Sequence, residues 1–182
     1  MPTEPGPIEL DVRELRAVTG WAAECASRVL PLFEQDRPGD PRPREAVEAA
    51  RAFAAGGPRT TALRQSAWAA YKAAREAATP AAAAAARSAS HAAAAAFLHP
   101  RASAHQVKHV LGSAAQAALA EEENPAGGRG PAEGTGQWAL RHAPREAGAV
   151  LGRLPAAPPG GGRAGEHLRA LDAALRAGGH TG

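Results

Sequence analysis

An all-α fold is what this sequence predicts: an alanine-rich bundle of about five main helices with a short helical C-terminal extension. Hydrophobic residues make up 45 % of the chain, yet much of that is alanine and only 4 % is aromatic. A sandwich or barrel needs β-branched and aromatic residues, which are scarce here. Alanine is the best helix former, and the stretch from Pro80 to Leu119 is rich in it, with a single His99-Pro100 break. Elsewhere, Gly and Pro cut the chain into helix-sized pieces. Each buried CH₂ is worth only about 0.8 kcal/mol, so such a core depends on many close helix contacts rather than a few bulky anchors.

In order, residues 1–8 are rich in Pro and Gly and read as frayed. From Asp11, Leu15, Val18, Ala22, Cys25, Val29 and Leu32 recur in three- and four-residue steps, one stripe of an amphipathic helix with Trp21 beside it. Pro31 is expected to kink or terminate it. Pro38-Gly39 is a turn; a second helix starts at Asp40-Pro41 or at Pro43 and stops at Gly56-Gly57. Its inner face is Val47, Ala50 and Phe53 or Ala54, while Arg44, Glu48 and Arg51 line another. A third helix, Thr60 to Ala78, turns Leu63, Ala67, Ala70 or Tyr71, and Ala74 inward.

Thr79-Pro80 is a cap followed by proline at the first helical position, so a fourth helix runs from there to Leu98, about 27 Å long. Ser103 and Gln106 match an S-x-x-Q capping box, which starts a fifth helix ending near Glu123. The acidic run Glu121–Glu123 reads as a solvated helix end. Residues 124–136 form a Gly/Pro-rich linker expected to be mobile. Short helices follow at 137–142, 144–154 and 165–177, with leucines to dock them on the bundle. The expected organisation is a bundle at 9–123, a linker at 124–136 and an extension at 137–177.

The formal charge is +3, and no run of five like charges marks a nucleic-acid tail. Cys25 is the lone cysteine, which excludes a disulfide framework and a Cys-based zinc site. Its place on the apolar stripe makes it an inert buried thiol. The N-terminal MPTEPGP has neither the charge nor the apolar run of a signal peptide. No sufficiently apolar stretch reaches membrane-spanning length. A cytoplasmic protein without a membrane role is the expectation.

Two constellations carry candidate chemistry. His105 and His109 stand one helical turn apart, the spacing of a two-histidine metal site, but Gln106 stands where H-E-x-x-H has its glutamate. In an antiparallel hairpin His99 and His109 meet near the closed end, which keeps a His-dependent metalloprotein as the alternative reading. His91 sits about 80° round the axis from His99, and the hairpin has no carboxylate to orient a metal-bound imidazole. The competing reading is that these rings pack between alanine-lined helices. Arg42, Arg44 and Arg51, with Arg59 and Arg64 beyond, suit an acidic or phosphate-bearing partner; the bland version pairs them with Asp40, Glu45 and Glu48 on a solvated face. A weak nucleic-acid binder is a third reading. Phosphate-cradle, nucleophile-elbow and two-metal carboxylate motifs are missing.

GDPRPREAVEAARAFAAGG (39–57), AARSASHAAAAAFLHP (85–100) and HQVKHVLGSAAQAAL (105–119) together resemble the Imm-5-like family of bacterial immunity proteins, over at least residues 9–123. The resemblance implies an all-α cytoplasmic protein that binds and neutralises a cognate toxin of a polymorphic toxin system, with no catalytic residue and no cofactor. Matching positions make Asp40, Arg42, Arg44 and Arg51 the candidate partner-binding residues. His91, His99 and His109 are further polar signature positions, and His105 lies outside the pattern. Residues 137–177 are similar to the extension of longer actinobacterial-type relatives.

Overall fold

A computed structural model describes residues 5–124 and 133–178. It contains eight α-helices: α1 Val12–Asp36, α2 Arg42–Ala54, α3 Thr61–Glu76, α4 Pro80–Ala94, α5 Val107–Glu122, α6 Thr135–Arg141, α7 Arg145–Gly152 and α8 Gly162–Gly178. Among the described residues there is no β-strand, only an isolated bridge between Pro7 and Arg101. The fold is all-α, as expected.

Caps fix where the helices begin. Asp11 accepts from Glu14 N (2.8 Å) while Glu14 accepts from Asp11 N (3.1 Å), a reciprocal box opening α1. Thr60 and Thr79 accept from Leu63 N and Ala82 N, each at 3.2 Å, to open α3 and α4. Gly56 closes α2 at φ +114°, a conformation side chains rarely adopt.

The fourth helix is the axis. Ala81, Ala82, Ala84, Ala85, Ala86, Ser88, Ala89, Ala92 and Ala93 are all buried, because α4 packs against α1, α2, α3 and α5 together. The short side chains of α4 leave room for a buried polar network against its neighbours. Ser88 Oγ donates to the Ser113 carbonyl at 2.8 Å, and Ser113 Oγ donates to the Ala22 carbonyl at 2.7 Å. Three helices are thereby tied together with both serine hydroxyls paired. Apolar packing divides in two. One cluster, with Val29 and Phe33, gathers the ends of α1, α3 and α5 around the start of α4. The larger holds Leu15, Val18, Trp21, Val47, Phe53, Leu63, Val107, Val110 and Leu111.

The extension is built into that larger cluster. Ala139, Ala147, Val150, Leu151, Leu154 and Leu171 belong to it, and Trp21 Nε1 donates to the Ala139 carbonyl at 3.2 Å. The acidic end of α5 also ties down the extension, so the expectation of a merely solvated helix end is corrected. Glu121 accepts from Thr135 N (2.8 Å) and Thr135 Oγ1 (2.5 Å), capping α6 from outside. Glu122 pairs with Arg163 (2.7 Å) and His167 (2.6 Å) of α8. Carboxylates that face the negative pole of α5 are thus offset by donors brought from elsewhere in the chain.

Other expectations also need correcting. Pro31 does not end α1, which runs on to Asp36. Pro31 lies exposed while Phe33 is fully buried, so the last turn is pulled onto the core and the lost hydrogen bond falls on the solvent side. The Ser103–Gln106 box does not form. Ser103 caps a single 3₁₀ turn, Ala104–Gln106, by accepting from His105 N at 3.3 Å. Gln106 reaches back instead to accept from His99 N at 3.0 Å, clamping the hinge. Residues 5–8 are not frayed, since Ile8 N donates to the Pro100 carbonyl and Ala102 N to the Gly6 carbonyl. Leu32 is only half-buried. The expected mobile linker falls largely on 125–132, outside the described residues.

Candidate functional site

The arginine-rich entry lies where α2 meets α1 and α3. Arg42 reaches Asp40 and Glu76, each at 2.6 Å. Hydrogen bonding to the Arg42 guanidinium holds the Asp40 carboxyl below its usual range, and the same contact lowers that of Glu76. Arg44 forks onto Glu34 at 2.6 and 2.8 Å. Arg51 contacts Glu24 at 3.0 Å and Ser27 Oγ at 2.7 Å. The carboxylates come from α1 and α3, with only Asp40 local. Glu45 and Glu48, the neighbours expected to pair with these arginines, are not their partners. Asp40, Arg42, Arg44 and Arg51 are therefore engaged within the molecule, Arg42 toward α3 and Arg44 and Arg51 toward α1.

At the hinge end of the bundle, α3, α4 and α5 leave a groove of about 690 Å³. Its walls are Trp68 and Tyr71 from α3, Phe97 from the 3₁₀ turn after α4, and Lys108 and His109 from α5; His91, Ala67 and Ala94 line its interior. Trp68 is 61 % exposed and Tyr71 42 %, two of the three large apolar side chains left exposed among the described residues. Their rings meet edge to face, with centroids 6.1 Å apart. Arg64 lies over the Phe97 ring at 4.6 Å and Arg59 over it at 5.7 Å. Arg59 also donates to the Ala96 carbonyl at 3.1 Å.

His91, His99 and His109 all line this groove and His105 does not; the hairpin argument placed only His99 and His109 together. His91 lies flat on α5. A Cβ on Gly112 would stand 2.7 Å from its Nδ1 and 2.8 Å from its Cγ, so the imidazole occupies the space a side chain on Gly112 would need. Burial, then the neighbouring His109, Lys108 and Arg87, push the His91 pKa down to about 4. Burial, Lys108 and His99 bring His109 down to about 4, with the Ala94 backbone opposing. Both rings are neutral near pH 7. Among the described residues no group of three or more His, Cys, Asp or Glu side chains is placed to hold a metal ion. His91, His99 and His109 line the groove without forming such a group. Cys25 is fully buried and its thiol is pushed up to about 12, chiefly by burial, which is the inert state expected of it.

Sequence reasoning missed the aromatic rim. Either Ala70 or Tyr71 could be given the inward place; the structure buries Ala70 and turns Tyr71 out. The signal was present in the spacing. Arg64, Trp68 and Tyr71 follow four- and three-residue steps offset from Leu63, Ala67, Ala70 and Ala74, a second stripe carrying aromatics on an otherwise polar face.

Fold and surface define an all-α module with a rigid, close-packed interior and a shaped, partly aromatic exterior. The family model described as "Imm-5 like putative immunity protein" matches residues 9–129, and the chain belongs to that family. The match takes in α1 to α5, and hence both the arginine entry and the groove. Searches of the curated proteins and of the solved structures return no match. Among the described residues no helix is long and apolar enough to cross a membrane.

Proposed function

We propose that this protein is a non-catalytic immunity protein that acts in the cytoplasm, binding a cognate toxin of a polymorphic toxin system through its helical surface and blocking it sterically. The observation that carries this reading is the family match across the five main helices. The physical character of the fold supports it. An inhibitor of this kind needs a preorganised surface, since rigidity lowers the entropy lost on association. An interior of methyl contacts and a serine network that ties three helices together supplies that rigidity. In this reading residues 9–123 carry recognition and 137–177 brace them, with Asp40, Arg42, Arg44 and Arg51 as one candidate contact face.

The reading predicts that a neighbouring reading frame encodes a large secreted protein with a C-terminal toxin domain, and the test is co-expression with that domain. Rescue of growth together with co-purification of the pair is the expected result. Continued toxicity with no complex would overturn the assignment.

A further inference from the structure

The modest net charge conceals a strong segregation. Between Glu48 and Glu121, Glu76 is the single acidic residue; the interval holds Arg51, paired at the α2 entry, and beyond it Arg59, Arg64, Lys72, Arg75, Arg87, Arg101 and Lys108. Glu76 is drawn away to Arg42 and Arg37. Among the described residues none of those seven cations takes part in an ion pair. The interval takes in the end of α2 and then α3, α4, the hinge and nearly all of α5, and the last four form the groove. No carboxylate lines it.

Resting on the immunity reading, we infer that this groove is the principal contact surface, and that it takes an acidic, solvent-exposed segment of the toxin domain. Trp68 and Tyr71 are the anchors, and Arg64 and Lys108 receive the partner's carboxylates. Exposed Trp, Tyr and Arg side chains around a pocket are the residue types that dominate binding energy at interfaces. Arg64 is held over Phe97, so its donors are positioned before the partner arrives. The uncompensated positive charge steers a negative surface toward it.

Aromatics among cations also occur in single-stranded nucleic-acid grooves, where successive bases stack on exposed ring faces. Here the Trp68 and Tyr71 rings stand at 87° to one another, and Phe97 is covered by two guanidiniums. No pair of parallel open faces is offered to consecutive bases, and the geometry favours a protein segment. The α2 entry is the weaker rival, because its arginines already hold carboxylates of this chain.

The probe is an inactivated form of the toxin domain identified by that co-expression, titrated calorimetrically into the full chain at low and high salt. Trp68→Ala is expected to weaken binding about 30-fold, the loss typical of a central aromatic. Lys108→Glu is expected to weaken it about tenfold at low salt and to flatten the salt dependence. Arg44→Glu and Arg51→Glu are expected to change it by less than about threefold, as rim charges do. Unaltered melting of Trp68→Ala establishes that it folds, and Lys108→Glu at an exposed position tests the same surface independently. Full affinity in the Trp68→Ala, Lys108→Glu double variant, or loss confined to the α2 variants, would overturn the groove while leaving the immunity reading in place. Competition of the toxin domain by an oligo-dT strand at low salt would likewise overturn it in favour of nucleic acid. A wild-type protein that fails to bind the toxin domain at all overturns both.

Discussion

The α2 entry and the α3–α5 groove are both rich in cations, but they use them differently. At the entry each of Arg42, Arg44 and Arg51 meets a carboxylate of this chain within about 3 Å, and the charges cancel locally. At the groove the cations have no such partners, and two of them lie on an aromatic face instead. The same residue type is a structural stitch in one place and an open valence in the other. Arginine content therefore says little about binding until the acids around it are located.

The largest way to sharpen that contrast is pH. An imidazole whose pKa is about 4 when folded and about 6.5 when unfolded is neutral in both states above pH 6.5 and has no effect there. Below that the unfolded chain takes up protons first, so stability falls from about pH 6.5 down to about pH 4, by roughly 3 kcal/mol for each of His91 and His109 at full protonation. Their mutual repulsion makes the two non-additive. Urea unfolding across that range should show the loss, and His91→Gln should remove about half of it. The entry behaves in the opposite window. Asp40 has a lowered pKa, so its contribution is intact above the ordinary carboxylate range and is lost only as pH falls through the lower folded value. A stability profile flat between pH 6.5 and 4 would refute the neutral state of His91 and His109.

Next in size is the contact beneath the groove. Gly112→Val places carbon inside the space of the His91 ring and should cost about 2–3 kcal/mol by overpacking. Combining it with His91→Ala should recover part of that, a coupling readable in a double-mutant cycle. At the entry, Arg42→Ala removes a half-exposed pair of bridges and should cost about 1 kcal/mol, less at high salt. The smallest effect is expected at Trp68. Its replacement by alanine should leave urea stability within about 0.5 kcal/mol, because so much of the ring is in solvent; a larger loss would make Trp68 a structural residue.

Much of the fold was legible because alanine, proline and glycine act locally. Thr79-Pro80 opens α4 and Gly56 closes α2 for reasons contained in a few neighbouring residues, and Val18, Ala22, Cys25 and Val29 share a face through helical period alone. The failures were all long-range. Gln106 had two possible partners and took the distant one, since the hinge brings His99 N within reach. Pro31 was tolerated because burial of Phe33 outweighs one lost hydrogen bond. Glu121 and Glu122 gained their meaning from Thr135, Arg163 and His167, which sequence proximity does not connect.

The sequence by itself determined an all-α chain, the order of its main helices, an unreactive Cys25 and a family signature spread over five helices. Those properties follow from local propensity, period and composition. Only the tertiary structure decided which arginines are cancelled and which stay open, that Tyr71 faces out while Ala70 faces in, and that Gly112 makes room for His91. Each depends on how two or three helices cross, and in a core of methyl groups the crossing is set by the sum of many small contacts rather than by any one residue.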